Sequence, residues 1–282
     1  MVNITKDNFS VRQICESGQC FRLQRLDEGN SEGRDGGEIC GERYALTALG
    51  RYLEIEQRQN EIFFDCTPEE FEQVWENYFD LKEDYGRIID LIDSEDTYLL
   101  EAASYGSGIR ILRQDLWEMT ISFIISAQNN IKRIRKSIDL LCRRYGEEKQ
   151  TKTGKHYYAF PTPEALAGAS LEELYACNMG YRSKYIQKTA QSIVTGEVDF
   201  AAIREMDYET AMTELCRLSG VGCKVANCIC LFALHKTEAF PVDTHINKVL
   251  KEQYPAGFPF EKYKGYEGTL QQYIFYYDLK KG

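Results

Sequence analysis

The chain has 282 residues, a net charge of −10, 43% hydrophobic residues and 28% charged residues, which is the composition of an ordinary globular protein with enough length for a substantial core. It contains no apolar run of membrane-spanning length and its N-terminus lacks the layout of a signal peptide, so we expect a cytoplasmic protein with no membrane partner. Its ten cysteines include no C-x2-C pair and it has only three histidines, which predicts free thiols and no metal site.

The charge is divided unevenly along the chain. Residues 1–100 contain 10 Lys and Arg against 23 Asp and Glu, whereas residues 101–282 contain 24 against 21. Taken alone, the negative net charge of the chain argues against binding to nucleic acid. The acidic excess belongs to the first third, however, and the mildly basic remainder leaves room for a local basic face that contacts phosphates.

The first 65 residues have the pattern of β-strands. Residues 43–66 alternate apolar and polar side chains on either side of a polar turn near residues 57–60, and they are rich in aromatic and β-branched residues. Residues 26–38, which are rich in Gly and Asp, are predicted to form a loop between strands.

Helical patterns dominate after residue 66. The segment Thr67–Glu70 combines a capping threonine with proline in the first helical position and Glu at N3, and it predicts a helix that buries the apolar side chains Phe71, Val74, Trp75 and Tyr78. From Tyr85 onward one helix follows another, with a second capping box at Ser170 and Glu173 and a polar loop predicted at residues 146–157. We therefore predict an α+β fold, with a β-rich domain and flanking helices in residues 1–100 and a helical domain in residues 101–282.

Two polar stretches interrupt the helical pattern. Gln128–Asn130 separates two apolar helical segments and is followed by a run of four cations in residues 132–136, while Tyr181 and Arg182 follow a glycine. Taken alone, the first stretch is typical of a loop with a solvated charge run, and the second of a surface turn with a half-buried tyrosine.

The stretch from residue 218 to residue 249 is the most informative part of the chain. Ser219–Gly222 is predicted to be a tight turn whose two glycines allow positive φ, and the apolar pattern from Cys223 predicts a helix whose first N–H groups can bind an anion. Lys224 lies in its first turn, where the helix dipole and partial burial would favour the neutral, nucleophilic amine. Asp243 is predicted at or near the N-cap of the next helix, where it stays ionised.

These residues resemble the helix-hairpin-helix/Gly-Pro-Asp motif of the DNA glycosylase superfamily. The hairpin LSGVG, the lysine two residues after its last glycine and the aspartate of PVD all match. A glycine turn alone would be weak support, whereas this combination is specific. The resemblance places the helix-hairpin-helix at about residues 210–234 and the Gly-Pro-Asp loop at residues 241–245. It implies that Lys224 and Asp243 are catalytic, because the lysine marks members that both excise a base and cleave the abasic strand.

Stretches from both ends of the chain narrow the resemblance to the 8-oxoguanine DNA glycosylases. Residues 17–22 (SGQCFR) are similar to the SGQxFRW element of that family, with Leu23 in place of the tryptophan. There the glycine carbonyl, here that of Gly18, accepts the N–H that oxidation creates on guanine. Gln271 matches the residue that bonds the edge of the base, while Phe275 and Cys228 match the residues on its two faces.

The resemblance also implies a DNA-contacting set. Gln128, with Arg133, matches the asparagine-rich turn that contacts the cytosine left after the base is flipped, although this chain has Gln where that family has Asn. Tyr181 and Arg182 match the wedge and a second cytosine contact, and His245 matches a phosphate contact. The complete set comprises Gln128, Asn129, Asn130, Arg133, Tyr181, Arg182, Gly220, Gly222 and His245.

Together the matches imply a twisted antiparallel sheet domain followed by two all-α subdomains with the active site between these. The implied activity is excision of 8-oxoguanine opposite cytosine through a Lys224 Schiff base, with β-elimination at the abasic site. We expect a monomer acting on double-stranded DNA in the nucleoid or nucleus. No cofactor is expected to be required, although the hairpin carbonyls can hold a structural monovalent cation. The last cysteine is Cys230, so the C-terminal iron–sulfur cluster of some glycosylases is not expected.

Two alternatives remain open from the sequence. One is a glycosylase for other oxidised or alkylated bases, against which the pocket residues Gly18, Gln271 and Phe275 argue. The other is a non-catalytic helix-hairpin-helix DNA-binding protein, against which the presence of both Lys224 and Asp243 argues.

Overall fold

The computed structural model describes residues 1–26 and 41–281. An antiparallel five-stranded sheet occupies the N-terminal part, with strand order β1-β5-β4-β3-β2. Its strands are β1 (Val2–Thr5), β2 (Leu23–Arg25), β3 (Glu42–Ala48), β4 (Arg51–Arg58) and β5 (Glu61–Phe64). The turn predicted near residues 57–60 joins β4 to β5, whereas the loop predicted at residues 26–38 lies, apart from Leu26, outside the described residues.

One short helix interrupts the sheet, so the prediction that the first 65 residues are all β was wrong. Helix α1 (Val11–Glu16) begins where the Ser10 side chain accepts a hydrogen bond from the Gln13 N–H. Its buried residues, Val11, Ile14 and Cys15, are spaced three and four apart, which is the period of a helix rather than a strand. Six residues were too few for that period to stand out from the neighbouring strands.

The helices form the rest of the described chain, apart from one small hairpin. The predicted Thr67 cap is present and opens a continuous helical segment made of α2 (Pro68–Glu70), a π-helical turn (Phe71–Trp75) and α3 (Glu76–Tyr78). The helices that follow are α4 (Tyr85–Asp90), α5 (Thr97–Tyr105), α6 (Leu116–Ser126), α7 (Ile131–Tyr145), α8 (Pro163–Ala167), α9 (Leu171–Ala176), α10 (Arg182–Val194), α11 (Phe200–Glu205), α12 (Tyr208–Leu215), α13 (Cys223–Phe232), α14 (Thr244–Gln253), a 3-10 turn (Phe260–Tyr263) and α15 (Glu267–Lys281).

The connection predicted as a polar loop at residues 146–157 is instead a β-hairpin. Strands β6 (Glu148–Gln150) and β7 (His156–Tyr158) pair antiparallel. The hairpin packs on the first sheet, where the Tyr157 ring lies 5.7 Å from the Tyr52 ring. This tertiary contact, which residues 146–157 do not reveal by themselves, stabilises strands rich in polar residues.

Three apolar cores confirm the predicted α+β architecture. The first lies beneath the sheet and includes Trp75 and Tyr78, the second surrounds α6 and α13, and the third lies among α5, α14 and α15. The sheet domain is therefore followed by two helical units, each with its own core. No helix in residues 1–26 and 41–281 is long and apolar enough to cross a membrane.

Candidate active site

A cavity of about 50 Å³ lies where the N-terminal domain meets α6, α13 and α15. Residues from both ends of the chain line it. They include all six that the sequence predicted to be catalytic or base-binding, namely Gly18, Lys224, Cys228, Asp243, Gln271 and Phe275. The fold therefore brings together groups that are separated by most of the chain length.

The hairpin between α12 and α13 positions Lys224. Gly220 has φ +84°, a conformation that favours glycine, and a β-carbon there would lie 2.7 Å from Tyr185 Cβ. Of the two glycines that allow positive φ, only Gly220 adopts it: Gly222 is extended, with φ −98°, and serves as the N-cap of α13 without a side-chain hydrogen bond. A β-carbon on Gly222 would meet nothing within 4 Å, so the first N–H groups of α13 are accessible to a ligand.

Lys224 is the second residue of α13, and its side chain is exposed rather than partly buried. Its Nζ lies 5.8 Å from the centroid of the Phe123 ring. One turn later in the helix, burial raises the pKa of the Cys228 thiol, while the charge of Lys224 and a hydrogen bond to it oppose this shift. The amine therefore points over an apolar wall while remaining open to an incoming substrate.

Asp243 is the N-cap of α14, as predicted. One of its oxygens accepts a hydrogen bond from the Ile246 N–H at 2.9 Å. Asp243 and Lys224 both line the cavity. The carboxylate is thus oriented by the helix and can stabilise positive charge that develops in front of it.

Gln271 and Phe275 lie one turn apart on α15 and bound the opposite side of the cavity. The Gln271 side chain is buried and donates to the Pro241 carbonyl at 3.0 Å. The Phe275 ring packs against Gly18, where an added β-carbon would lie 3.3 Å from ring atom Cε1. These contacts leave a flat apolar surface next to a fixed amide, an arrangement suited to a planar, hydrogen-bonding ligand.

The loop that contains Gly18 is held by residues for which no role was predicted from the sequence. The buried Gln19 side chain donates to the Arg110 carbonyl at 3.0 Å and accepts from the Leu112 N–H at 2.9 Å. On α7, the Arg135 guanidinium donates to the Cys15 carbonyl at 2.9 Å, just before the loop. Gln19 belongs to the SGQ element, so a role for it could have been predicted from the sequence. No sequence pattern indicates a role for Arg135.

His245 lies beside the cavity and belongs to a small charged cluster. Its Nδ1 lies 2.7 Å from Asp278 Oδ2, and Lys248 donates to the other Asp278 oxygen at 3.1 Å. The pKa of Asp278 is lowered: burial would raise it, but the hydrogen bonds from His245 and Lys248 outweigh that effect. The His245 and Phe275 rings also pack nearly perpendicular to each other, with ring centroids 5.8 Å apart.

A second cavity, of about 540 Å³, runs beside the first and is lined by part of the predicted DNA-contacting set. Gln128, Tyr181, Arg182, Gly220 and Gly222 line it, together with Ile124, Ala127, Tyr185 and Val221. Asn129, Asn130, Arg133 and His245 do not belong to its lining. The structure therefore brings five of these nine residues into one groove.

The turn between α6 and α7 is shaped by its own amides. Asn130 caps α7 by accepting from the Arg133 N–H at 3.0 Å, and Asn129 donates to the Ile125 carbonyl at 3.1 Å. Gln128 has φ +49° and is exposed. The two asparagines thus hold the backbone, which leaves the Gln128 and Arg133 side chains on the surface of the turn.

Arg182 is buried, with 6% of its surface exposed. Its guanidinium donates to the Ala127 carbonyl at 3.1 Å and to the Gln128 carbonyl at 3.2 Å. It also lies 4.5 Å from the centroid of the Tyr181 ring, which is itself 48% exposed. In this arrangement Arg182 fixes both the Gln128 turn and the exposed aromatic ring.

Comparison with known proteins places this fold and site in one class. Residues 1–120 match the 8-oxoguanine DNA glycosylase N-terminal domain. Residues 121–263 match the HhH-GPD superfamily of base excision DNA repair proteins. The chain is therefore a base excision repair glycosylase of the helix-hairpin-helix class.

Individual relatives define the family within that class. The N-glycosylase/DNA lyase of Saccharomyces cerevisiae is 31% identical over 89% of this chain and 70% of its own length. The 8-oxoguanine glycosylase/lyase of Clostridium acetobutylicum is 36% identical in its apo-form, with a TM-score of 0.86 over 97% of this chain and 94% of that one. Its complex with double-stranded DNA containing cytosine opposite 8-oxoguanine is also similar, at 33% identity and TM-score 0.86 over 99% and 98%. The chain belongs to the 8-oxoguanine glycosylase/lyase family and is a DNA repair enzyme.

The described residues contain no group of three or more His, Cys, Asp or Glu side chains arranged to hold a metal ion. The nine described cysteines are free thiols.

Proposed function

We propose that the protein excises 8-oxoguanine from double-stranded DNA when it lies opposite cytosine, and that it then cleaves the strand at the abasic site. The proposal rests on one observation. Lys224, Asp243 and the residues predicted to contact the base all line one cavity. Each has a distinct task in a reaction that must recognise a planar base and break its bond to the sugar.

Lys224 is the proposed nucleophile. Its neutral amine attacks C1′ of the sugar as the bond from C1′ to the base breaks, and the base leaves with the bonding electrons. In the resulting sugar–enzyme adduct the C1′–O4′ bond breaks as a proton passes from the lysine nitrogen to O4′, which gives a Schiff base that makes the C2′ proton acidic. Loss of that proton breaks the 3′ C–O bond and cleaves the strand. Asp243 stabilises the positive charge that develops on the sugar.

Gly18, Gln271, Cys228 and Phe275 are proposed to select the base. The Gly18 carbonyl accepts the N–H that is present on 8-oxoguanine, whereas guanine presents an acceptor at the same atom. Gln271, already fixed through Pro241, bonds the edge of the base. Phe275 and Cys228 cover its faces, which requires the Phe275 ring to move off Gly18.

The groove beside the cavity is the proposed site of the DNA. Tyr181 occupies the space that the flipped nucleotide leaves, and Gln128 and Arg133 contact the unpaired cytosine. Arg182 is proposed to hold the Gln128 turn in place and to stack on Tyr181. Its contact with cytosine, which the family resemblance implies, is a further proposed role. Asn129 and Asn130 shape the same turn.

Phosphate contacts are proposed for the N–H groups around Gly220 and Gly222 and for His245. The hairpin is also the proposed place for a monovalent cation, in a turn that the hydrogen bond from the Val221 N–H to the Leu218 carbonyl, at 3.1 Å, stabilises. The hairpin carbonyls would hold such an ion, which would supply positive charge for a phosphate and would have no part in the bond-breaking steps. We further propose that no other cofactor is required and that a monomer acts in the nucleoid or nucleus.

A substrate panel tests this function directly. Single-turnover excision is measured on duplexes that carry 8-oxoguanine, 3-methyladenine or an oxidised pyrimidine opposite each of the four normal bases. The expected result is the fastest excision for 8-oxoguanine opposite cytosine. Faster excision of an alkylated base or a pyrimidine would contradict the substrate assignment, and equal rates opposite all four bases would contradict the assigned opposite-base contacts.

A further inference from the structure

Two exposed thiols flank the hairpin that presents Lys224. Of the nine described cysteines, seven are buried, and the exposed pair is Cys216 and Cys223. Cys216 is the C-cap of α12 and Cys223 is the first residue of α13, immediately before Lys224. The Cys223 thiol lies near enough to Cys216 to raise the pKa of the Cys216 thiol. None of the base-contacting or DNA-contacting roles proposed above involves either of them.

The backbone of the hairpin holds these thiols together. The Leu218 N–H donates to the Leu215 carbonyl and the Val221 N–H donates to the Leu218 carbonyl, each at 3.1 Å. A side chain from α10 adds a third restraint, because Thr189 donates to the Ser219 carbonyl at 2.9 Å. The chain therefore reverses within a few residues, and the end of α12 returns beside the start of α13.

We propose that Cys216 and Cys223 form an oxidation site, and that a disulfide between them slows the reaction at Lys224. The proposed oxidant is hydrogen peroxide, a small two-electron oxidant that reaches exposed thiols. Because the site consists of two neighbouring thiols, oxidation of the first can be captured by the second before it proceeds further.

The chemistry balances with one molecule of peroxide. The Cys223 thiolate attacks one peroxide oxygen, so that an S–O bond forms, the O–O bond breaks and one water leaves. The Cys216 sulfur then attacks the sulfenic sulfur, the S–S bond forms, and the S–O bond breaks as a second water leaves. The two thiols lose two electrons and two protons in total. Partial burial and the neighbouring Cys223 thiol both raise the pKa of Cys216, which disfavours its thiolate, so the first attack on peroxide is assigned to Cys223.

The position of the disulfide explains its expected effect. It would close a ring from residue 216 to residue 223 that contains the whole hairpin. The cross-link would fix the first residue of α13 against α12, whereas Gly222 and Lys224 must adjust to the phosphate and to the sugar. The disulfide therefore restrains the position of Lys224. It affects the base pocket less, because α15 and the Gly18 loop also form that pocket.

The cross-link can be detected without any activity assay. Trypsin cleaves after Arg217, between the two cysteines, and so places them in peptides 205–217 and 218–224. After treatment with hydrogen peroxide and alkylation of the remaining thiols, mass spectrometry should find these two peptides joined, with the loss of two hydrogens. The joined species should disappear after treatment with dithiothreitol.

The effect on activity, which rests on the proposed function, is measured as strand cleavage of 8-oxoguanine DNA before oxidation, after it and after reduction. We expect a fall of at least about tenfold that dithiothreitol reverses. Cys216→Ser should keep the starting rate, form no cross-link and lose far less activity. The proposal is overturned if native protein forms no cross-link, if the cross-linked protein cleaves at the full rate, or if Cys216→Ser is inhibited equally. Failure of the cleavage assay in reduced protein would instead count against the proposed function.

Discussion

The ring of Phe275 packs so closely on Gly18 that a β-carbon at Gly18 would lie 3.3 Å from ring atom Cε1. The two residues come from opposite ends of the chain, and they meet at the wall of the cavity that contains Lys224. Because Gly18 has φ +76°, glycine is favoured there both by the backbone and by the neighbouring ring. This contact gives a direct way to separate recognition of the lesion from stacking on it.

Gly18→Ala should reduce the preference for 8-oxoguanine over guanine by about tenfold. The substitution strains the loop and presses on Phe275, so the carbonyl that reads the lesion is displaced; a hydrogen bond of this kind contributes about 0.5–1.5 kcal/mol, to which the repulsion of guanine is added. The measurement is the ratio of single-turnover excision rates on duplexes that differ only in that base. An unchanged ratio would make the SGQ loop structural and leave the oxidised base unspecified.

Phe275→Ala is the matched control for Gly18→Ala, because it removes the other member of the same contact. It should weaken activity on 8-oxoguanine by the loss of one stacking face, about 1–3 kcal/mol, while leaving the preference over guanine largely intact. If Phe275→Ala changes the preference as strongly as Gly18→Ala does, the two residues do not have the separate tasks proposed for them.

Asp243→Asn should slow excision by about a hundredfold. Asparagine caps helices as well as aspartate does, so the bond to the Ile246 N–H and the start of α14 are preserved while the negative charge is lost. Asp207→Asn is the control, because Asp207 caps α12 through the Thr210 N–H at 2.8 Å and does not line the cavity. A near-normal rate in Asp243→Asn would show that Asp243 is a helix cap alone.

Arg133→Ala should reduce the preference for cytosine over adenine as the opposite base. Arg133 is exposed on the first turn of α7, beside the Gln128 turn, and its donors match the acceptors of cytosine. Lys136→Ala, another exposed cation on the same helix, is the control for a general loss of positive charge. Equal loss of activity in both variants, with the preference unchanged, would assign Arg133 to phosphate binding.

Glu118→Gln should make stability less dependent on pH between about 5 and 8. Burial raises the pKa of Glu118 to about 7, even though Arg22 lies 3.5 Å away. The folded protein therefore binds this proton more tightly than the unfolded chain does. As the pH rises from the unfolded pKa through the folded pKa, the free energy of unfolding falls by roughly 3 kcal/mol at most. The test compares thermal unfolding of the two proteins across this range; identical pH profiles would contradict it.

The sequence predicted most of the site because its residues lie in local motifs. The hairpin, Lys224 and Asp243 are close together in the chain, and helix-capping rules correctly placed Asp243 at an N-cap. The gathering of Gly18, Gln271 and Phe275 around them could be expected only through the family resemblance, since no local pattern connects the two ends of a chain. The overall α+β architecture followed from a change of hydrophobic period near residue 66.

What the sequence did not predict depends on tertiary contacts. Helix α1 is too short for its period to be distinctive, and the β6–β7 hairpin packs on a sheet nearly a hundred residues away in sequence. Burial was the hardest property to anticipate: Lys224 is exposed, while Arg182 is buried beneath the turn that it supports. Both outcomes depend on which neighbours the fold supplies.

Covalent trapping at Lys224 tests the central claim most directly. Borohydride reduces a Schiff base to a stable amine, so wild-type protein incubated with 8-oxoguanine DNA and borohydride should become linked to the DNA, which denaturing electrophoresis detects. Lys224→Gln keeps a polar, exposed side chain that is one atom shorter and has no nucleophilic amine. We predict that this variant binds the same DNA, yields no linked species and does not cleave the strand. Undiminished trapping in Lys224→Gln would place the nucleophile elsewhere and contradict the mechanism.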